Sequence, residues 1–218
     1  MKQFFPILVL VTGLYTEALG QWGVQIQGER HVVSTIPSVS SSEIGSDFFG
    51  VFGGVNYFFR LKNYRLEFLP GAGLAYESGK FPLIQSAKLN FKSIGPQIFS
   101  LINIYPFDFK NDCNCPTFKK EGNTLKKGLH LIIDLGFRYN IRNYADQEQK
   151  TGQFYTGFGI GNDFGISENL TISPMILYNF GHLDKHLDSE SYPEFSHQKI
   201  SLGVRLLYDK NKGRKRRY

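Results

Sequence analysis

Residues 129–141 read Leu129-His130-Leu131-Ile132-Ile133-Asp134-Leu135-Gly136-Phe137-Arg138-Tyr139-Asn140-Ile141, and this stretch decides the fold. One parity holds Leu129, Leu131, Ile133, Leu135, Phe137, Tyr139 and Ile141, all apolar or aromatic. The other holds His130, Ile132, Asp134, Gly136, Arg138 and Asn140, polar or glycine apart from Ile132. A helix would scatter both sets around its circumference, whereas a strand sorts them onto opposite faces.

The same period runs outward in both directions. Phe154, Phe158, Ile160, Phe164 and Ile166 alternate with Gln153, Gly157, Gly159, Gly161, Asp163 and Gly165. Leu170, Ile172, Ile176, Tyr178 and Phe180 alternate with Thr171, Ser173, Asn179 and Gly181. Ile200, Leu202, Val204, Leu206 and Tyr208 alternate with Ser201, Gly203, Arg205 and Leu207. Tyr64, Leu66, Phe68, Ala72, Leu74 and Tyr76 alternate with Arg65, Glu67, Gly71, Gly73 and Glu77. Blurred versions cover Trp22 to His31, Phe48 to Phe59 and Leu89 to Ile104. The reading is eight strands of roughly 10–14 residues. Strands of soluble proteins run about five or six residues, whereas a tilted bilayer-crossing strand needs about 9–11.

The connections alternate too. Val32 to Asp47, Ser78 to Lys88, Arg142 to Gly152 and Leu183 to Ser196 read as long loops, Arg60 to Asn63 and Ser167 to Asn169 as short turns. Long loops at one end and short turns at the other are the habit of outer-membrane barrels. The connection from Tyr105 to Gly128 breaks this rule, being long on the short-turn side. Pro70, Pro96 and Pro174 fall inside strands, where a missing ladder donor predicts bulges or kinks.

Composition agrees. The 218 residues include 20 Phe, 12 Tyr and 23 Gly, an enrichment that favours strands and tight turns. A 41% apolar and 20% charged chain is not a disordered one. The net charge of +6 owes much to Arg214, Lys215, Arg216 and Arg217, a tail rather than a groove, and does not argue for nucleic acid. At the start, Lys2, the apolar run Phe4 to Leu14 and the small-residue Ala18-Leu19-Gly20 have the order of a cleaved secretory signal peptide. That run is too short for a spanning helix, and a buried core strand is the alternative. Residues 1–20 are thus expected to be a signal peptide, 21–209 the barrel and 210–218 a basic tail.

Volume orients the faces. An eight-stranded barrel has an interior just wide enough for side chains. Gly157, Gly159 and Gly161 suit that crowded lumen, and Phe158, Ile160 and Phe164 suit lipid. A soluble, lipocalin-like barrel would need the reverse. With lipid outside, Arg65, Glu67, Asp134, Arg138, Asp163 and Arg205 fall inside, where charges of both signs persist when paired. Such a network plugs a barrel; ion conduction or ligand binding is the functional alternative.

The signal segment, the eight Gly- and aromatic-rich strands, the run Pro70-Gly71-Ala72-Gly73-Leu74-Ala75-Tyr76 and the strand exit at Tyr105-Pro106 resemble the outer-membrane β-barrel proteins of Bacteroidota, the PorT-like group. The resemblance spans nearly the whole chain after residue 20. It implies fold and location, and it brings no shared catalytic residues. One departure is that ten residues follow Tyr208, so the terminal aromatic Tyr218 follows a basic run and not a strand.

Other candidate chemistry is local. Cys113 and Cys115 can close a small structural disulfide, with intermolecular pairing or a redox role as alternatives. His182 and His186, near Asp184, Asp188 and Glu190, supply metal-ligand types, and Ser189, His186 and Glu190 supply the types of a hydrolase triad. They lie in a stretch read as a solvated loop, without the geometry either needs.

The expectation is therefore an all-β protein, an eight-stranded antiparallel up-and-down transmembrane β-barrel. Its location is the cell outer membrane and its role structural or binding, with neither catalysis nor cofactor. Its expected partners are outer-membrane lipids and lipopolysaccharide, the barrel-assembly machinery and a periplasmic protein. A lipid- or lipopolysaccharide-modifying enzyme and a soluble ligand-binding barrel are the alternatives.

Overall fold

A computed structural model describes residues 21–35, 46–60, 66–82, 88–108, 128–144, 147–167, 169–186 and 195–209. The proposed signal peptide, Arg65, Cys113, Cys115, Ser189, Glu190 and the basic tail lie outside them.

Eight long strands form the wall: β1 Gln21–Thr35, β2 Ser46–Tyr57, β3 Leu66–Pro82, β4 Lys88–Ile104, β5 Leu129–Tyr144, β6 Gln147–Asn162, β7 Leu170–His186 and β8 Phe195–Asp209. Two-residue strands, Phe59–Arg60 and Phe164–Gly165, continue β2 and β6 after one-residue breaks. Each strand pairs antiparallel with its sequence neighbours. The circle closes where β1 pairs with β8, from Gln21 opposite Asp209 to Thr35 opposite Phe195. Closure leaves no sheet edge, so the wall's backbone groups can be satisfied without water.

The long loops of the sequence reading are corrected in part. β3 stays paired with β4 up to Pro82 opposite Lys88, and β5 with β6 up to Tyr144 opposite Gln147. Beyond the apolar belt both faces of these strands carry polar residues. The hydrophobic period fades there while the backbone ladder continues. β3 with β4 and β5 with β6 are therefore the arms of long hairpins, and we call this end of the barrel the hairpin end. The opposite, turn end carries the β6–β7 turn, where Ile166 and Ser167 donate backbone hydrogen bonds to the Leu170 carbonyl.

The expected bulges at the prolines are corrected as well. The β2–β3 pairing skips Tyr57/Pro70 and Phe58/Leu69, then resumes in unchanged register. The β4–β5 ladder skips Pro96/Tyr139 and Gly95/Asn140. The β6–β7 ladder skips Asn162/Pro174 and Asp163/Ser173. The cause is the same each time. A bridge at the proline, and at the residue before it, both require the proline N–H, which does not exist. The ladder loses two rungs and no register. The one register shift in the β6–β7 ladder lies elsewhere, between Gly152 and Phe154.

The greasy parity faces out. Leu131, Phe158 and Leu202 are 48%, 59% and 63% exposed. On β3, β4, β7 and β8 the apolar outer face runs nine residues, from Phe68 to Tyr76, Ile94 to Ile102, Ile172 to Phe180 and Ile200 to Tyr208, with Ser100 the one hydroxylated aliphatic side chain in it. Ser78, Lys92 and Gln198 follow it on the same face and are exposed. Aromatic rings collect at both margins: Trp22 with Tyr208 and Phe59 with Phe68 at the turn end, Phe137 with Phe154 and Tyr178 with Phe180 toward the hairpin end. A closed barrel with an apolar belt of this height and aromatic girdles is built to cross a bilayer. This is an outer-membrane barrel, and the soluble lipocalin-like alternative fails because the apolar face is on the outside.

Candidate functional site

The inward parity builds the lumen. Small residues make room for large ones. A Cβ on Gly157 would meet the Tyr178 carbonyl at 2.5 Å, and one on Gly161 would meet His130 Nε2 at 2.5 Å. The glycine row of β6 is therefore the space that the lumen side chains occupy, as its sequence suggested.

Toward the hairpin end an ion cluster fills the bore. Arg138 on β5 reaches across to β1, where its Nη2 donates to both Glu29 carboxylate oxygens at 3.0 Å. Its Nη1 donates to Glu77 on β3 and its Nε to Gln97 Oε1 at 2.7 Å. Lys199 Nζ donates to Glu29 at 2.7 Å and sits 4.9 Å from the Tyr155 ring centre. His31 Nε2 lies 3.2 Å from Glu29 and 3.7 Å from Glu77. The His31 ring stacks on Phe48 at 4.6 Å, and Phe48 meets Phe91 edge-on at 4.9 Å. All of these side chains are buried.

Below this cluster lies an apolar layer. Along β4 the inward residues run Gln97, Phe99, Leu101, Asn103, and along β7 they run Asn179, Leu177, Met175, Ser173. Phe99, Leu101, Met175 and Leu177 pack with Phe52, Leu69 and Ile132 into one buried cluster.

A second polar group follows at the turn end. The Tyr105 hydroxyl lies 2.8 Å from Glu67 and 2.5 Å from Asp163, and Ser173 donates to Asp163. His130 Nδ1 lies 2.9 Å from the Gly128 carbonyl, with Asp163 at 3.8 Å. Arg205 is fully buried; its Nη2 lies 3.4 Å from Ser173 Oγ, and its Nε and Nη1 have no protein partner among the described residues.

The described members of the predicted charge set lie inside. Glu67, Asp134, Arg138, Asp163 and Arg205 are all buried in the lumen. Arg138 takes its carboxylates from Glu29 and Glu77, neither of which was in that set. Asp134 is held by the Asn179 amide at 2.7 Å. Glu29 and His31 sit on a strand of blurred period, and Lys199 falls one residue before the clear alternation that begins at Ile200. Glu77 was visible on the polar parity of its strand, beside Glu67. Those parities were the available signal. His182 and His186 are in β7 and not in a loop; their side chains lie outside the description.

Glu29, His31 and Glu77 bring three ligand-type atoms within 4.8 Å of one another. Both carboxylates already hold cationic side chains, so the cluster is a charge-compensated plug and not an open ligand cage.

No protein-family model matches the sequence, and no curated relative is found. Among solved structures, the fold is similar to Neisserial surface protein A, at 14% identity and a TM-score of 0.46 over 84% of this chain and 95% of that one. It is also similar to Ail, the attachment invasion locus protein of Yersinia pestis, crystallised with the heparin analogue sucrose octasulfate, at 14% identity and a TM-score of 0.44 over 87% and 99%. OprG of Pseudomonas aeruginosa gives 10% identity and a TM-score of 0.39 over 87% and 96%. At this distance the fold assignment rests on the strand pairing and the apolar belt themselves.

Proposed function

We propose that this outer-membrane barrel is a non-catalytic structural or binding protein, a sealed post that holds its long hairpins beyond the membrane. The observation that carries this reading is the plug. An ion cluster around Arg138, an apolar layer around Phe99 and Leu177, and a polar group around Tyr105 follow one another along the bore. The cavity beside Arg138 and Lys199 measures about 10 Å³, room for no solute larger than water.

The wall beyond the belt is the surface available to partners. On β3 and β4, Ser78 lies opposite Lys92 and Lys80 opposite Asn90. The two lysines are therefore diagonal neighbours, about 7–8 Å apart. Both are exposed on the outer face just past the belt, at the level of headgroups. This placement favours contact with the phosphates of lipopolysaccharide. The barrel-assembly machinery, and a periplasmic protein meeting the basic tail, complete the proposed partners; the PorT-like resemblance belongs to this proposal as well.

The test is electrical. Purified protein in planar bilayers should give no stepwise ion conductance, and Arg138→Gly combined with Glu77→Gly should still give none, because the apolar layer around Phe99 and Leu177 remains across the bore. Stable conductance steps from the unmodified chain would refute the plug.

A further inference from the structure

Asp134 and Lys199 are buried in the same lumen, yet no ion pair or direct hydrogen bond joins them among the described residues. Lys199 nevertheless stands first among the charges acting on Asp134. Asn179 reaches part of the way between them. Its Nδ2 donates to Asp134 Oδ2 at 2.7 Å. The carboxamide rests on the bare backbone of Gly157, with that nitrogen where an added Cβ would stand. The other corner of the amide, Oδ1, is a buried acceptor with no partner among the described residues. Lys199 holds the complementary surplus. An ammonium carries three N–H donors. One of them goes to Glu29 at 2.7 Å, and the Tyr155 ring centre lies 4.9 Å from the nitrogen.

Asn179 and Lys199 line the same cavity of about 10 Å³, together with Arg138, Gln153, Tyr155 and Gly181. The backbone supplies a cause for it. Gly152 lies opposite Lys185 and Phe154 opposite His182, so two residues of β7 oppose Gln153 alone. A bulge of this kind bends the strand and re-aims the side chains beside it. The volume suits a single water, and the lining is polar enough to hold one.

We propose that this cavity binds one structural water, and that the water relays Lys199 to Asp134. Lys199 Nζ donates to the water, the water donates to Asn179 Oδ1, and Asn179 Nδ2 donates to Asp134 Oδ2. Donation runs the same way at every link, from ammonium to carboxylate, so the charges at the two ends polarise the whole chain. Asp134 thereby gains the cation that its direct contacts lack. The relay rests on the packed plug and can fail without it, since a dry cavity would still leave the bore without conductance.

The first test is a crystal structure of the full chain at a resolution that shows ordered waters. The expected result is one peak within hydrogen-bond reach of both Lys199 Nζ and Asn179 Oδ1. Gly181→Ala adds a methyl group on the inward parity at the cavity and should remove the peak while leaving every relay side chain in place. A dry cavity in the unmodified chain would overturn the proposal. So would an anomalous bromide signal there after a bromide soak, since the occupant would then be an anion. The second test is a double-mutant cycle of Lys199→Met and Asp134→Asn, read from unfolding equilibria in phospholipid vesicles. In the unmodified background the double variant should be several-fold more folded than the summed single effects predict. In Gly181→Ala, and separately in Asn179→Leu, that coupling should shrink several-fold. Coupling equal in all three backgrounds, or absent from the unmodified one, would refute the relay. Heat-modifiable migration on gels checks that each variant is folded, and the crystal of the unmodified chain depends on none of them.

Discussion

Replacing Arg138 by Leu tests the plug most directly. Arg138 is fully buried and ties three strands to its own, donating to Glu29, Glu77 and Gln97. Its loss does not strand both carboxylates equally. Glu29 keeps Lys199 at 2.7 Å, whereas Glu77 is left with His31 at 3.7 Å and the field of Arg142. Removing one partner of a buried ion pair costs about 3–5 kcal/mol, because the other charge stays buried and uncompensated. We expect a loss in that range for Arg138→Leu, dominated by Glu77. Adding Glu77→Gln removes the stranded charge, so the double variant should be more stable than the summed single effects predict, by about 1–3 kcal/mol. The assay is urea unfolding in phospholipid vesicles, followed by the fluorescence of Trp22, the chain's sole tryptophan, in the turn-end girdle. A loss below about 1 kcal/mol for Arg138→Leu, or strict additivity in the double variant, would refute the claim that the lumen is held by this compensated charge cluster.

Further outcomes follow from the same geometry. Gly161→Val places carbon where the His130 ring lies and should cost about 1–3 kcal/mol or block insertion, read by heat-modifiable gel migration. Leu202→Arg puts a charge on the hydrocarbon face and should cost about 2–4 kcal/mol in vesicle unfolding, while the same change at Gln198, beyond the belt, should cost about 0–1 kcal/mol. Pro174→Val returns an N–H to the β6–β7 ladder. Amide exchange of that restored N–H should be slow, and fast exchange there would contradict the explanation of the missing rungs.

The facing of the barrel was legible wherever one parity was purely apolar. Phe158 and Leu202 point to lipid and Gly157 and Arg138 to the lumen as their alternation implied, because a period of two leaves a half-buried strand only two choices. The legibility failed in β2, where Phe48 and Phe52 face in and Phe49 and Val51 face out. Aromatic residues on both sides erase the period, and volume against particular neighbours decides instead. Strand ends were also hidden, since β5 and β6 pair beyond the belt through residues with no hydrophobic rhythm.

Sequence alone determined which residues enter the lumen on the clearly patterned strands, since that is a property of each strand by itself. The partners within the lumen were decided only by the closed barrel. Glu29 and Arg138 are 109 residues apart and never on neighbouring strands; they meet because closure brings β1 across the bore from β5 at a common height. Height is set by register and strand tilt summed around the whole wall, and no local pattern records that sum.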